Sequence, residues 1–220
     1  MPDINAYDAV IFDMDGVLID SEPLWKIAME DVFASVGSQL TKSDFQKTVG
    51  LRIDEVVRFW HKHEGWENFT PEQLEKKIIS RMVDLIEQNA SPLEGVLDTL
   101  KFLNSRKIKV GLATSSYRIL IDTVLNSLNI KNYFHFTHSA EHEEFGKPHP
   151  AVYLTVANKL KSNPLNCLVI EDSLNGIISA KAARMDVVCI PEKTHHHQPK
   201  LGLADYHFDS MTKLLKHWTR

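Results

Sequence analysis

Five short, nearly continuous apolar runs punctuate the chain, at Ala9–Asp13, Val110–Thr114, Phe134–Thr137, Leu168–Glu171 and Val187–Ile190. Runs this brief, apolar at neighbouring positions, suit strands buried on both faces, which is the situation inside a parallel sheet. Helical patterns separate most of them. Leu120, Val124 and Leu128 recur every four residues, as do Val152, Val156 and Leu160 behind Pro150, a residue suited to a first turn. The alternation predicts an α/β fold with a doubly wound, Rossmann-like parallel sheet. A length of 220 residues allows one such core and a second lobe, and is too short for three independent cores.

The alternation stops between residues 21 and 91. Ser21 reads as an N-cap, Pro23 as a first-turn residue, and Leu24, Ala28, Val32 and Val36 mark one helical face that Gly37 terminates. Thr70-Pro71-Glu72-Gln73 reads as a capping box ahead of Leu74, Ile78, Met82 and Leu85. Val56, Val57, Phe59, Trp60 and His63 suggest a further helix between them. Residues 21–91 are therefore expected to form an all-helical cap inserted after the first strand, with 1–20 and 92–220 as the α/β core.

Composition narrows the partners. Lys plus Arg total 25 against 29 Asp plus Glu, so the basic surplus of a nucleic-acid binder is missing. No apolar run approaches the ~20 residues of a membrane span, and no basic leader precedes the first apolar stretch. Cys167 and Cys189 each sit alone in an apolar run and read as buried reduced thiols. The expectation is a cytoplasmic protein without nucleic-acid or membrane partners, by default a monomer.

In open parallel sheets ligands bind beyond the carboxyl ends of the strands. The first run ends in Asp13-Met14-Asp15-Gly16, the second in Thr114-Ser115-Ser116 and the fourth in Glu171-Asp172-Ser173, with Lys147-Pro148-His149-Pro150 between the last two. Taken singly, each has a plain alternative: a turn, a helix cap, a solvated lysine. Together they form a set. Carboxylates converging at one sheet edge repel, by roughly 4 kcal/mol per pair at 4 Å and an effective dielectric of about 20. Hard oxygen ligands of this kind suit Mg²⁺, and the Lys147 ammonium offsets further charge if a phosphate enters. Asp13, last on its strand, is the candidate nucleophile; Asp15 is placed to protonate a leaving alcohol and then activate water. The Thr114 hydroxyl and the Ser115 amide, at a helix start, would bind phosphoryl oxygens.

This constellation resembles the haloacid dehalogenase superfamily of phosphohydrolases. Ile11-Phe12-Asp13-Met14-Asp15-Gly16-Val17 matches its first motif, Thr114 the second, Lys147 the third and Glu171-Asp172 the fourth, in family order. The resemblance implies a helical cap after the first motif and a metal held by the Asp13 side chain, the Asp15 carbonyl and the Asp172 side chain. It leaves Glu171 as a weaker candidate, through water or directly. Phosphate and substrate contacts then fall to Asp13, Met14, Asp15, Thr114, Ser115 and Lys147.

Within the superfamily, Asp20-Ser21-Glu22-Pro23-Leu24-Trp25, Gly50-Leu51-Arg52-Ile53 and Lys181-Ala182-Ala183-Arg184-Met185 are similar to the subgroup of β-phosphoglucomutase and the hexitol and 2-deoxyglucose-6-phosphate phosphatases, most of all to its hexitol phosphatases. The mutases carry a proton-shuttling His where Trp25 stands, so hydrolysis of small sugar or sugar-alcohol phosphates is expected over hexose-phosphate transfer. A phospho-accepting signalling receiver would need neither Asp15 nor the cap. Thr114-Ser115 replaces the Ser-Ala of the hexitol phosphatases. Glu22, Trp25 and Arg52 are the candidates for reading the sugar, against the alternative that Trp25 is packing and Arg52 a surface charge. His135, His138 and His142 follow no metal-binding helix pattern, and His195–His197 reads as an exposed loop.

Overall fold

The computed structural model describes residues 1–41, 43–48, 51–191 and 199–220. Six parallel strands form one sheet: β1 (Ala9–Phe12), β2 (Lys109–Thr114), β3 (Phe136–Ser139), β4 (Cys167–Glu171), β5 (Asp186–Cys189) and β6 (Tyr206–His207), in the order β3-β2-β1-β4-β5-β6. The expected doubly wound α/β architecture is what the chain adopts. Helices α1 (Glu22–Ser35), α2 (Ile53–Glu64) and α3 (Pro71–Asn89) fall between β1 and α4 (Val96–Ser105). After β2 come α5 (Arg118–Ser127), α6 (Ala151–Lys159), α7 (Leu174–Ala182) and α8 (Met211–Trp218).

Strand alternation sorts the apolar residues onto two faces. Val10, Phe12, Leu112, Leu168 and Ile170 pack with Leu100 of α4, Leu120 and Val124 of α5 and Leu214 of α8. Ile11, Ala113, Val169 and Val187 pack against Val152 and Val156 of α6 and Ile177 of α7. Five of the six strands were legible as apolar runs. The third lies two residues further on than its run suggested, because Gly111 pairs with Phe136 and Thr114 with Ser139. Neither β6 nor helices α4 and α8 were read from the sequence.

The helical insertion has entry and exit segments that pair with each other: Ile19 bridges to Pro92, and the Leu93 N–H donates to the Leu18 carbonyl at 2.9 Å. The expected capping box forms at Thr70 and Gln73, where the Gln73 N–H donates to Thr70 Oγ1 and the Thr70 N–H to Gln73 Oε1. Gly37 does end the first helix, with a φ of 84° open to glycine at little cost. Ser21 differs from expectation: it precedes α1 without making a side-chain cap, because its hydroxyl is spent on Asp15.

Candidate active site

The order β2-β1-β4 places the carboxyl ends of three neighbouring strands side by side. Thr114 closes β2, Asp13 follows β1, and Glu171 and Asp172 follow one another at the end of β4. A cleft of about 230 Å³ opens over them, lined by Asp13, Asp15, Thr114, Ser115, Lys147 and Asp172 on the sheet side. Glu22, Trp25 and Arg52 from the helical insertion line the opposite side. Met14 is a different case. Its side chain is buried in the core and is not part of the cleft lining.

The floor is a buried charged cluster. Lys147 Nζ donates to Glu171 Oε1 at 2.7 Å and lies 3.0 Å from Asp13 Oδ1. The second approach is an ion contact without hydrogen-bond alignment, and Asp13 Oδ1 remains a buried oxygen with no aligned donor. Burial pushes the Asp13 carboxyl up to about 7, with Lys147 pulling it down and Glu171 and Asp15 raising it. Glu171 goes the other way. Burial would raise it, but Lys147 and hydrogen bonds from Tyr153 and Ser173 hold it below the usual carboxylate range. The difference follows from donors: Oε2 of Glu171 also accepts from the Asp172 and Ser173 N–H groups and the Ser173 hydroxyl. Burial would likewise lower Lys147, but Asp13 and Glu171 outweigh it and keep the ammonium charged.

Asp15 sits in a cage of hydroxyls. Oδ1 accepts from Ser21 Oγ (2.5 Å) and Trp25 Nε1 (3.3 Å), and Oδ2 from Ser116 Oγ (2.6 Å) and, weakly, Thr114 Oγ1 (3.4 Å). Two donors come from the start of the insertion and two from the end of β2, so this carboxylate joins both sides of the cleft. Ser115 is not at a helix start. Helix α5 begins at Arg118 behind Tyr117, because the Thr114 hydroxyl folds the intervening loop by accepting from the Ser116 N–H at 3.1 Å.

Three carboxylates, Asp13, Glu171 and Asp172, bring oxygens within 4.8 Å of one another. The all-oxygen chemistry of this set fits a hard divalent cation such as Mg²⁺, with Asp13 and Asp172 lining the cleft and Glu171 fully buried beneath it. Gly16 makes the approach feasible: its φ is 71°, and a Cβ there would meet Asp172 Oδ2 at 2.1 Å. A side chain at that position would drive the carboxylate away from Asp13.

On the wall, Glu22 pairs with Lys26 at 2.5 Å, and Arg52 grips Asp54 through Nε (3.0 Å) and an NH2 group (3.2 Å). The stem of Arg52 lies on Gly146, where a Cβ would approach its Cδ to 2.5 Å. Arg52 is thus a cleft residue packed across to the Lys147 loop. Apolar Met29, Phe45 and Val56 complete this side. Sequence reasoning missed Ser116, Lys26 and Asn175, which also line the cleft. A Glu22–Lys26 pair at i, i+4 was the available signal for Lys26. The histidines take structural partners: His135 Nδ1 accepts from the Val110 N–H, and His138 pairs with Glu143. His195–His197, like Gly50, lies outside the described residues.

The model of the haloacid dehalogenase-like hydrolases matches residues 10–190. Hexitol phosphatase B of Escherichia coli is 39% identical over 207 residues, covering 94% of this chain and 93% of its own. A phosphorylated carbohydrates phosphatase of Thermotoga maritima is 33% identical, covering 81% of this chain and 82% of its own. Among solved structures, β-phosphoglucomutase from Clostridium difficile aligns with a TM-score of 0.82 at 28% identity, over 94% and 93% of the two chains. CbbY from Rhodobacter sphaeroides, in complex with phosphate, shares the fold with a TM-score of 0.87 at 21% identity, over 94% and 96%. Among the described residues, no helix is long and apolar enough to cross a membrane.

Proposed function

The chain belongs to the haloacid dehalogenase-like hydrolases, and from that premise we propose that it is a Mg²⁺-dependent phosphatase of small sugar or sugar-alcohol phosphates. One observation carries the reading. Two aspartates two residues apart are held in opposite ways: Asp13 with a buried oxygen lacking an aligned donor, Asp15 among three hydroxyls and an indole N–H. The first is suited to attack, the second to exchange protons.

In the proposed reaction Asp13 attacks phosphorus, a bond forms from its carboxylate oxygen, and the ester P–O bond breaks. The departing alkoxide takes a proton from Asp15, which later removes one from the water that hydrolyses the aspartyl phosphate. To act as the acid, Asp15 must carry a proton, and the Ser21 and Ser116 hydroxyls can turn to accept it. Trp25 can only donate, and offers no proton relay. Thr114, Ser115 and Lys147 would bind the phosphoryl oxygens. Asp13, the Asp15 carbonyl and Asp172 are the groups assigned to hold Mg²⁺. When bound, the cation neutralises phosphate and carboxylate charge and orients the phosphoryl group for in-line attack.

Residues 21–91 act as the cap that selects the substrate. Glu22 and Arg52 suit hydroxyls, and the Trp25 face suits sugar C–H surface. A cleft of about 230 Å³ is below the usual range for drug-sized ligands and matches a small one. The names of the hexitol and carbohydrate phosphatases to which the chain is similar support this class. The test is phosphate release, with Mg²⁺ and with EDTA, across sugar, hexitol and deoxysugar phosphates including 2-deoxyglucose 6-phosphate and β-glucose 1-phosphate. EDTA-sensitive release favouring hexose or hexitol 6-phosphates supports the reading. Isomerisation of β-glucose 1-phosphate without net release overturns it in favour of a mutase.

A further inference from the structure

Tyr153 belongs to no motif, yet it touches both members of the ion pair on the cleft floor. It is the third residue of α6 and wholly buried. Its hydroxyl donates to Glu171 Oε1 at 2.6 Å, the same oxygen that receives Lys147 Nζ at 2.7 Å. Its ring also faces the ammonium, with Nζ 4.8 Å from the centroid. A buried tyrosine hydroxyl needs a partner, and here the partner is the carboxylate that holds the lysine.

The rest of Glu171 is fixed as firmly. Its other oxygen takes three donors from Asp172 and Ser173, so both oxygens are supplied and the four or so lone-pair sites of a carboxylate are used. Gly176 makes room for it. A Cβ on that helical residue would stand 1.7 Å from Glu171 Oε1 and 1.9 Å from its Cδ. Glycine inside a helix costs about 0.5–1 kcal/mol relative to alanine, and here the cost has a packing reason.

We propose that Tyr153 is a positioning residue for Lys147, acting through Glu171, and that Glu171 anchors this lysine instead of reaching into the cleft as a ligand. Lysine is a flexible point charge with three donors. Unrestrained, its long stem would change rotamer and carry the charge away from Asp13 Oδ1, which Nζ faces at 3.0 Å. The Glu171–Tyr153 pair fixes where the ammonium stands. The charge stays beside Asp13 while the oxygen is left without an aligned donor.

The kinetic consequence rests on the phosphatase reading, whereas the geometry does not, and the test separates the two. Tyr153→Phe keeps the ring and removes only the hydroxyl. In the active enzyme kcat is expected to fall about tenfold, the scale of a lost hydrogen bond to a charged group. KM should stay within about twofold, since the loss falls on the transition state. In protein labelled with ¹⁵N-lysine, the Lys147 ammonium signal, assigned by its disappearance in Lys147→Met, should shift or broaden in Tyr153→Phe. In an active enzyme, an unchanged kcat or an unchanged ammonium signal overturns the proposal. If the wild type releases no phosphate from any sugar phosphate, the functional reading fails and the ammonium signal alone decides the positioning. Should Tyr153→Phe fold poorly, Glu171→Gln must displace the same signal, and an undisturbed one overturns the anchor.

Discussion

An ammonium–carboxylate pair stands on the floor of the cleft and another on its helical wall, and the two differ in burial. On the floor, Lys147 and Glu171 lie 2.7 Å apart with side-chain exposures of 5% and 0%. On the helical wall, Lys26 and Glu22 are 2.5 Å apart but 27% and 20% exposed. A pair open to solvent contributes about 0–1 kcal/mol, less the deeper the screening by water, whereas breaking a buried pair costs several. Strand ends and a filled carboxylate shell hold the first rigid. The second rides on one helix and can adjust to what enters. Under the proposed function, this contrast would put the chemistry at the sheet edge and the reading of the substrate on the insertion.

Substitutions on the floor should therefore act on turnover, and those on the wall on substrate preference. The largest effect is expected from Asp13→Asn, a loss of kcat on the order of 10³-fold or more, because no other oxygen can replace the nucleophile. Steady-state phosphate release checks it, and full residual activity removes Asp13 from that role. Asp15→Asn comes next, with both formation and hydrolysis of the phosphoenzyme slowed by about 10²–10⁴-fold while substrate binding stays measurable. Rapid-quench kinetics separate the two steps; unchanged turnover takes away the acid/base assignment. Arg52→Ala sharpens the comparison from the other side. It should raise KM on the order of tenfold and flatten the ranking among sugar phosphates, with kcat changed by no more than about threefold. A loss confined to kcat would make Arg52 part of the floor, acting through its packing on Gly146.

The same contrast explains what was legible in the sequence. Asp13, Lys147 and Asp172 stand in local patterns at strand ends or in a short proline loop, where chain direction alone brings them to one edge. Ser116 and Tyr153 give no local signal because their partners, Asp15 and Glu171, lie 101 and 18 residues away. Ser21 misled because N-capping is a local rule, and a carboxylate six residues earlier won its hydroxyl. The two-residue β6 is too short to show any period, and only its register beside β5 defines it. Helix α8 was readable in principle: Met211, Leu214 and Trp218 are spaced for one buried face.

The smallest predicted effect is on stability, and it tests whether the floor stores cost. Burial pushes the Asp13 carboxyl up to about 7 in the folded chain, against roughly 3.9 for an unfolded one. Between those values the native state binds the proton more tightly than the unfolded one. Without a divalent cation, stability should thus decline as pH rises from about 4 to 7, and the full cost is carried above that range. Asp13→Asn removes the charge that causes it. In EDTA at pH 8 the variant should melt about 3 °C or more above the wild type, and the gap should close toward pH 5. Adding Mg²⁺ should raise the wild-type midpoint and leave the variant nearly unmoved. Glu22→Gln on the wall should show neither behaviour, since its pair is partly exposed and lies apart from the buried carboxylates. Equal midpoints for Asp13→Asn and wild type at pH 8 would mean that Lys147 already compensates the buried carboxylate. The floor would then carry no strain for a cation to relieve, and its rigidity would rest on the Glu171 anchor alone.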